Sequence, residues 1–349
     1  MMMGATESTA YIPVEGDFRL LSERGEQLTD NEFSGETSFI REAYAKFVSR
    51  KSNVAALVTL LLLLLLAIVA PPLSGYRFDE TAYNQSNFAP RVPILEKIGI
   101  FDGSQELHKT TTTEKSNPYL ENGITNYHLF GTDALGRDVF CRCFRGLRIS
   151  LFVAVLSTLV NVIIGVSYGM LSGYFGGAVD MVMQRIIDVL GSIPQMVILT
   201  LLVLVLKPGI GTLIIAFMIT GWISMSQIAR AEVLRIKELE YVMASRTLGA
   251  DGFFIVFRGI FPNILGPVIS QIMIAIPSAI FMESTLSLMG LGISSGEVSL
   301  GILIQQGLAT FFLHPHRLVP PIVIMVLTMI SCNRLADGLR QALDPQIIL

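Results

Sequence analysis

Residues able to make or break bonds are few in this 349-residue chain, and their spacing argues against each familiar chemistry in turn. The three cysteines are Cys141, Cys143 and Cys332. A Cys-x-Cys pair with no second Cys or His pair nearby is not a zinc framework. Two cysteines this close rarely form an unstrained disulfide, so they read as small apolar fillers. His314-Pro315-His316 departs from the His-Glu-x-x-His zinc pattern and reads as a polar turn. No Gly-x-x-x-x-Gly-Lys-Ser/Thr segment offers a phosphate cradle. No Ser/His or Asp/Asp pair sits inside an apolar stretch as a protease would need. What remains is a charged, aromatic insert between two apolar stretches, "RIKELEYVMASRTLGADGFFIVFRGIFPNILGP", from Arg235 to Pro267. Its residue types suit recognition rather than covalent chemistry.

The elements that must position this insert are membrane spans. The chain is 52% hydrophobic and 15% charged, with a mean hydropathy of +0.60, whereas soluble domains carry roughly 25% charged residues. The net charge of -3 and the absence of a basic block give no reason to expect nucleic acid. A bilayer core of about 30 Å needs roughly 20 apolar residues as helix. Six runs qualify: Val54–Ala70, Ile149–Gly173, Met181–Leu206 with Pro194 as a kink, Gly211–Ala229, Asn263–Met282 and Leu318–Cys332. The first reads as an uncleaved span, because a polar segment of about fifty residues precedes it, far longer than the n-region of a signal peptide. The span interiors offer few ionisable groups, Asn161 being the main polar one. This argues against a transporter driven by an ion gradient, a class that places ionisable residues mid-membrane.

Orientation follows from Lys and Arg near the span ends. Arg41, Lys46, Arg50 and Lys51 precede the first span. Arg230, Arg235, Lys237, Arg246 and Arg258 lie between the fourth and fifth, and Arg334 and Arg340 follow the sixth. Six spans put all three groups on one side, so both termini and the insert are expected in the cytoplasm. The expected organisation is a cytoplasmic segment 1–53, a first span 54–72, a long external loop 73–148, a core of five spans 149–336 and a tail 337–349. Arg142, Arg145 and Arg148 lie outside the second span on one helix face, with Asp138 or other acids as candidate partners.

Within the insert, Glu238 to Leu248 shows an approximate helical stripe. Gly249 stands where a helix C′ residue with positive φ is expected, and Asp251 is placed to cap a second helix through Phe253, Phe254, Val256 and Phe257. Pro262 is expected to end that helix. Such an aromatic segment either rests on lipid as an amphipathic helix or is offered to the groove of a cytoplasmic partner.

The insert resembles the "EAA" cytoplasmic loop of ABC-importer permeases, in the form of the peptide branch. The matching residues are Met243-Ala244-Ser245, Gly249 and Ile260-Phe261-Pro262-Asn263. Met243 stands where the pattern has Glu, with Glu240 about one helical turn earlier. "HLFGTDALGRDVFCR" is similar to the His-x-x-Gly-Thr-Asp-x-x-Gly-Arg-Asp motif of C-type subunits of oligopeptide and dipeptide permeases. Its matching residues are His128, Gly131, Thr132, Asp133, Gly136, Arg137 and Asp138, and Cys141 replaces the usual Ser. Further likeness runs through "SFIREAYAKFVSRKSNVAALV", "SGYFGGAVDMVMQRIIDVLGSIP", "MESTLSLMGLGI" and "NRLADGLRQALDP", so it covers about Ser38 to Pro345.

The resemblance implies an all-α integral membrane protein of six transmembrane helices, with the type I ABC importer permease fold and cytoplasmic coupling helices. It implies no catalysis and no cofactor in this chain, ATP and Mg being bound by partner ATPase subunits. The implied partners are a second, B-type permease subunit, two ATP-binding subunits, an extracytoplasmic peptide-binding protein and membrane lipid, in a bacterial inner membrane. Glu240, Met243, Ala244, Ser245, Gly249, Asp251, Phe254 and Pro262 would couple to the ATPase. A nickel or metal-chelate permease is the alternative within the family, since its subunits share these motifs.

Overall fold

The computed structural model describes residues 35–93, 95–99, 101–109, 112–293 and 296–343. The chain divides into two compact units, Met1–Lys46 and Phe47–Leu349. The described residues of the first belong to helix α1 (Gly35–Ser49).

In the second unit, α2 (Lys51–Leu73) is a leucine-rich helix with Pro71 and Pro72 in its last turn. A long loop follows. It contains the antiparallel hairpin β1 (Gln105–Lys109) and β2 (Thr112–Ser116), with Gln105 opposite Ser116, and the short helix α3 (Pro118–Glu121). Helix α4 (Val139–Phe175) has 37 residues, about 55 Å at 1.5 Å per residue. It therefore projects beyond a hydrocarbon core of about 30 Å. Next come α5 (Gly177–Gly191) and α6 (Gln195–Leu206), then α7 (Ile210–Thr220) and α8 (Trp222–Ile236). The insert forms α9 (Glu240–Thr247) and α10 (Gly252–Phe254). A π-helical turn, Ile255–Ile260, joins α10 to α11 (Phe261–Leu288). Helices α12 (Leu300–Leu308) and α13 (Val319–Leu343) complete the unit. Among the described residues, five helical stretches are long and apolar enough to cross a membrane, and six if α5 and α6 count as one broken span.

Several boundaries differ from expectation for local reasons. The second span starts at Val139 rather than Ile149, because Asp138 caps it and takes the N–H of Cys141 at 2.7 Å. Pro194 does not kink a continuous third span. It ends one helix and starts another, with a bend of 72° between α5 and α6, since proline pushes the residue before it out of the helical region. Pro262 does not end the second insert helix either: the stretch from Gly252 to Leu288 is continuous. Pro262 falls in the first turn of α11, where the π ladder gives way to the α ladder, and a missing N–H costs least at such a start.

Helix α4 is the central element. Gly165, Gly169 and Gly173 recur every fourth residue along it and let α8 approach closely. A Cβ at Gly169 would meet the Ser226 carbonyl, with Ala229 Cβ at 2.8 Å and Arg230 N at 2.9 Å. Small residues at this spacing are how membrane helices gain contact, since lipid supplies no hydrophobic drive between them. Three apolar clusters surround α4. One joins it to α2, α12 and α13, another to α8, α9 and α11, and the third to α6 and α7. Cys143 is a packing residue of the first cluster, and Cys141 lies buried with its thiol donating to the Tyr76 carbonyl at 3.3 Å.

Candidate functional site

The insert folds as a rigid elbow. Leu248 N–H donates to Ala244 O, Gly249 N–H to Arg246 O at 3.1 Å and Ala250 N–H to Ser245 O at 3.0 Å. With Gly249 at φ +82, this is a Schellman closure of α9. Asp251 caps the next helix by accepting from Phe253 N–H at 3.2 Å. On both sides of the Gly249 turn apolar side chains are exposed: Leu248 is 88% exposed, Phe253 73%, Phe257 55%, and Met243 and Phe254 50% each. Glu240 lies in the first turn of α9, and it is exposed like Ala244. Pro262 is set back from this surface, in α11.

The inner side of the elbow is welded to the spans. Val242 and Ile255 are buried against Val166, Met170 and Val233. The Tyr241 hydroxyl donates to Gly259 O at 3.1 Å, and Asn263 Nδ2 donates to the same carbonyl at 2.7 Å. Asp180 of α5 takes both Arg230 Nε and Nη2 of α8 at 2.6 Å, and Ser172 of α4 donates to it as well. Lys237 Nζ reaches Gly173 O at 3.0 Å. The Asp180–Arg230 bridge was not singled out in the sequence. Its signal was an acid and a base near span ends fifty residues apart, a separation that only folding closes.

The seven residues of the His128–Asp138 motif come together as a clasp between the long loop and the start of α4. His128 Nδ1 pairs with Asp138 Oδ2 at 2.8 Å and its Nε2 with Gln85 at 2.9 Å. Thr132 accepts from Phe88 N–H at 2.8 Å and donates to the Gln85 carbonyl. Asp133 accepts from Leu135 and Arg137 N–H at 2.8 and 3.0 Å, from Arg137 Nε at 2.8 Å, and from Arg142 Nη1. Burial pushes the Asp133 carboxyl up, but Arg142, Arg137 and the two backbone donors outweigh it and hold the group below the usual carboxylate value. Gly131 and Gly136 turn the chain at φ +76 and +74, and a Cβ at either would strike the backbone of Phe88 or Ala82. His316 Nε2 lies 3.3 Å from Thr132 O, so the His314–His316 pair is part of a polar turn against this clasp.

The arginines of α4 divide. Arg142 pairs with Asp133 rather than Asp138, and Arg145 pairs with Glu297 at 3.2 Å. One ionisable residue in a span escaped the sequence reading. The fifth span runs on past Met282, and Glu283 is fully buried within it. It accepts from Ser150 at 3.1 Å, Ser287 at 2.9 Å and Ser299 at 2.7 Å. Ser150 and Ser299 fill lone pairs with the N–H groups of Leu300 and Ile302, which leaves their single protons for the carboxyl. The group ties α4, α11 and the N-terminus of α12 together. Its signal was a lone acid inside the apolar run Phe281–Ile293.

These features define a polytopic helical membrane subunit with an outward-facing apolar elbow at one end and a polar clasp over its long loop. The chain belongs to the family of binding-protein-dependent transport system inner membrane components, which it matches over residues 165–349. Residues 38–90 match the N-terminal TM domain of oligopeptide transport permease C. The dipeptide transport system permease protein DppC of Bacillus subtilis (strain 168) is 43% identical over 73% of this chain and 78% of that protein. DppC of Lactococcus lactis subsp. cremoris (strain MG1363) is 34% identical over 95% of this chain and 97% of that one. The oligopeptide permease OppC of Bacillus subtilis (strain 168) is 36% identical over 89% and 90%. The chain is thus an ABC-transporter permease, a non-catalytic multi-pass membrane component.

Proposed function

We propose that the chain is one of two permease subunits of an importer of dipeptides or oligopeptides in a bacterial inner membrane. A B-type permease subunit completes the path, two ATPase subunits that bind ATP and Mg sit beneath, and an extracytoplasmic peptide-binding protein delivers the cargo. Both termini and the α9–α10 elbow are cytoplasmic. The observation that carries this reading is the identity of 34% to a dipeptide permease across 95% of the chain.

The geometry supports a mechanical role for the elbow. Leu248, Phe253, Phe254 and Phe257 offer an apolar helix face of the kind that docks into a groove. Glu240, Met243, Ala244 and Ser245 line the approach on α9, and the Gly249 turn with its Asp251 cap sets the angle between the two halves. When ATP closes the ATPase pair, its grooves move and the docked elbow moves with them. Val242, Ile255 and the Asp180–Arg230 bridge transmit that displacement to α4, α8 and α11, so a ligand on the partner biases the two states of the path. Pro262 acts at one remove, through the first turn of α11. The clasp on the opposite side holds the long loop in register for the delivering protein.

The test is reconstitution with the partner subunits in liposomes. Uptake of a labelled di- or tripeptide should require ATP and the binding protein. ATP-driven uptake of a nickel chelate, with no peptide uptake, would replace the cargo assigned here.

A further inference from the structure

Arg148 is the third arginine of the α4 face, and neither the clasp nor Glu297 takes it. It is exposed, and among the described residues it has no hydrogen-bond, ion-pair or ring partner. It stands one residue before the buried apolar run that opens at Ile149. Below it on the same face lie Phe152, Val155 and Leu159, at 56%, 49% and 54% exposure. The spacing of 4, 3 and 4 residues is one helical stripe. This stripe forms a wall of a groove whose other wall is Leu64, Ala67 and Ile68 of α2, with a volume of about 450 Å³. Among the described residues that line the groove Arg148 is the only polar one, and it stands at one end.

We infer that this groove binds a phospholipid, with one acyl chain between α2 and α4 and the headgroup phosphate on the Arg148 guanidinium. Length supports it: Arg148 to Leu159 is eleven residues, about 16 Å of helix, which is close to half of a hydrocarbon core of about 30 Å. The α4 wall of the groove thus has the length of one leaflet, and Arg148 at its end stands where that leaflet carries phosphate. Charge complementarity supports it too. A guanidinium forms paired N–H bonds to phosphate oxygens, and an arginine at a span end otherwise reaches for the interface without a fixed partner. The α2 side is consistent, since Leu64–Ile68 precede Pro71 and Pro72, which mark the same end of the bilayer. The inference rests on membrane insertion and is independent of the cargo.

The test uses the intact transporter in nanodiscs with two photoactivatable probes that carry the same diazirine acyl chain, phosphatidylglycerol and the phosphate-free diacylglycerol. Peptide mass spectrometry reads the adducts. The phospholipid should label Phe152, Val155 or Leu64 at least fivefold more than the diacylglycerol does. Arg148→Gln should abolish that preference and Arg148→Lys should keep much of it. Equal labelling by the two probes, or a preference unchanged in Arg148→Gln, would overturn phosphate recognition. Absence of groove adducts, or cross-links from Val155 to the second permease subunit in their place, would show a protein-covered groove and overturn the proposal outright. If Arg148→Gln fails to assemble, the comparison of the two probes on the parent protein still decides.

Discussion

Gly249 is the residue on which the elbow turns, and its role separates cleanly into torsion and space. A Cβ there would meet nothing within 4 Å, so any penalty comes from φ +82 alone. An L-residue in that region costs about 1–2 kcal/mol, and a β-branched one is a genuine outlier. That cost is comparable with coupling free energies of about 1–3 kcal/mol. Gly249→Val should reach the membrane at parental abundance, bind the ATPase subunits weakly and lose at least about tenfold in ATP-driven peptide uptake. Gly249→Ala should be milder, and parental uptake by the Val variant would remove the turn from the mechanism. Asp133 makes a different demand. Its carboxyl is held below the ordinary value, so its contribution is present above about pH 4, its unfolded range, and is lost as pH falls through the lower folded value. Hydrogen exchange of the amides at residues 128–138 should therefore hold steady from pH 7 to about 5 and accelerate, beyond intrinsic rates, only below about 4. Asp133→Asn strands the buried Arg142 and should cost about 3–5 kcal/mol of clasp stability at neutral pH.

The glycine stripe of α4 belongs to the scale of the element, since no one residue explains it. Gly165, Gly169 and Gly173 set how near α8 lies, and the groups they face are mostly backbone or Cβ atoms that have no rotamer to yield. Gly169→Leu should force the pair apart and lower the thermal midpoint of the purified transporter, at a cost of about 1–3 kcal/mol or more. Gly191→Leu on α5 has open space around its Cβ and should leave the midpoint near the parent's. Equal effects would mean that helix propensity, not close approach, is being measured. The same stripe places Val233, Ile236 and Val242 against α4, so looser packing should also reduce coupling from the elbow.

At the scale of the whole molecule the decisive property is sidedness. Lys and Arg cluster before the first span, within the insert and after the last span, and loops rich in these residues stay in the cytoplasm. A cysteine placed at Leu120, an exposed site in the long loop, should react with an impermeant thiol reagent in intact cells. One placed at the exposed Asp251 should react only after the cells are broken. Cys141, Cys143 and Cys332 are buried, which keeps the background low. The reverse pattern would invert the topology and place the proposed ATPase docking on the wrong side.

The sequence by itself determined the membrane class, the place of each span in the chain though not its ends, and the Gly249–Asp251 elbow. These depend on local properties: twenty apolar residues in a row, lysines and arginines near their ends, and a glycine followed by a capping acid. The run of ordered motifs likewise placed the chain near its family before any contact was known. Only the tertiary structure decided which acid each arginine meets, because Asp133, Asp138 and Glu297 are equally plausible partners until α4 and the long loop are folded together. It also decided that Pro262 lies within a continuous helix. The shift from π to α ladder absorbs the missing N–H, a relation between successive hydrogen bonds that composition does not carry. Glu283 looked like a residue beyond a span end and is instead its buried anchor. Its three hydroxyl donors come from α4, from α11 itself and from the cap of α12, segments 133 and 16 residues away for the two non-local ones. Folding must bring such donors together before a buried carboxyl can be tolerated.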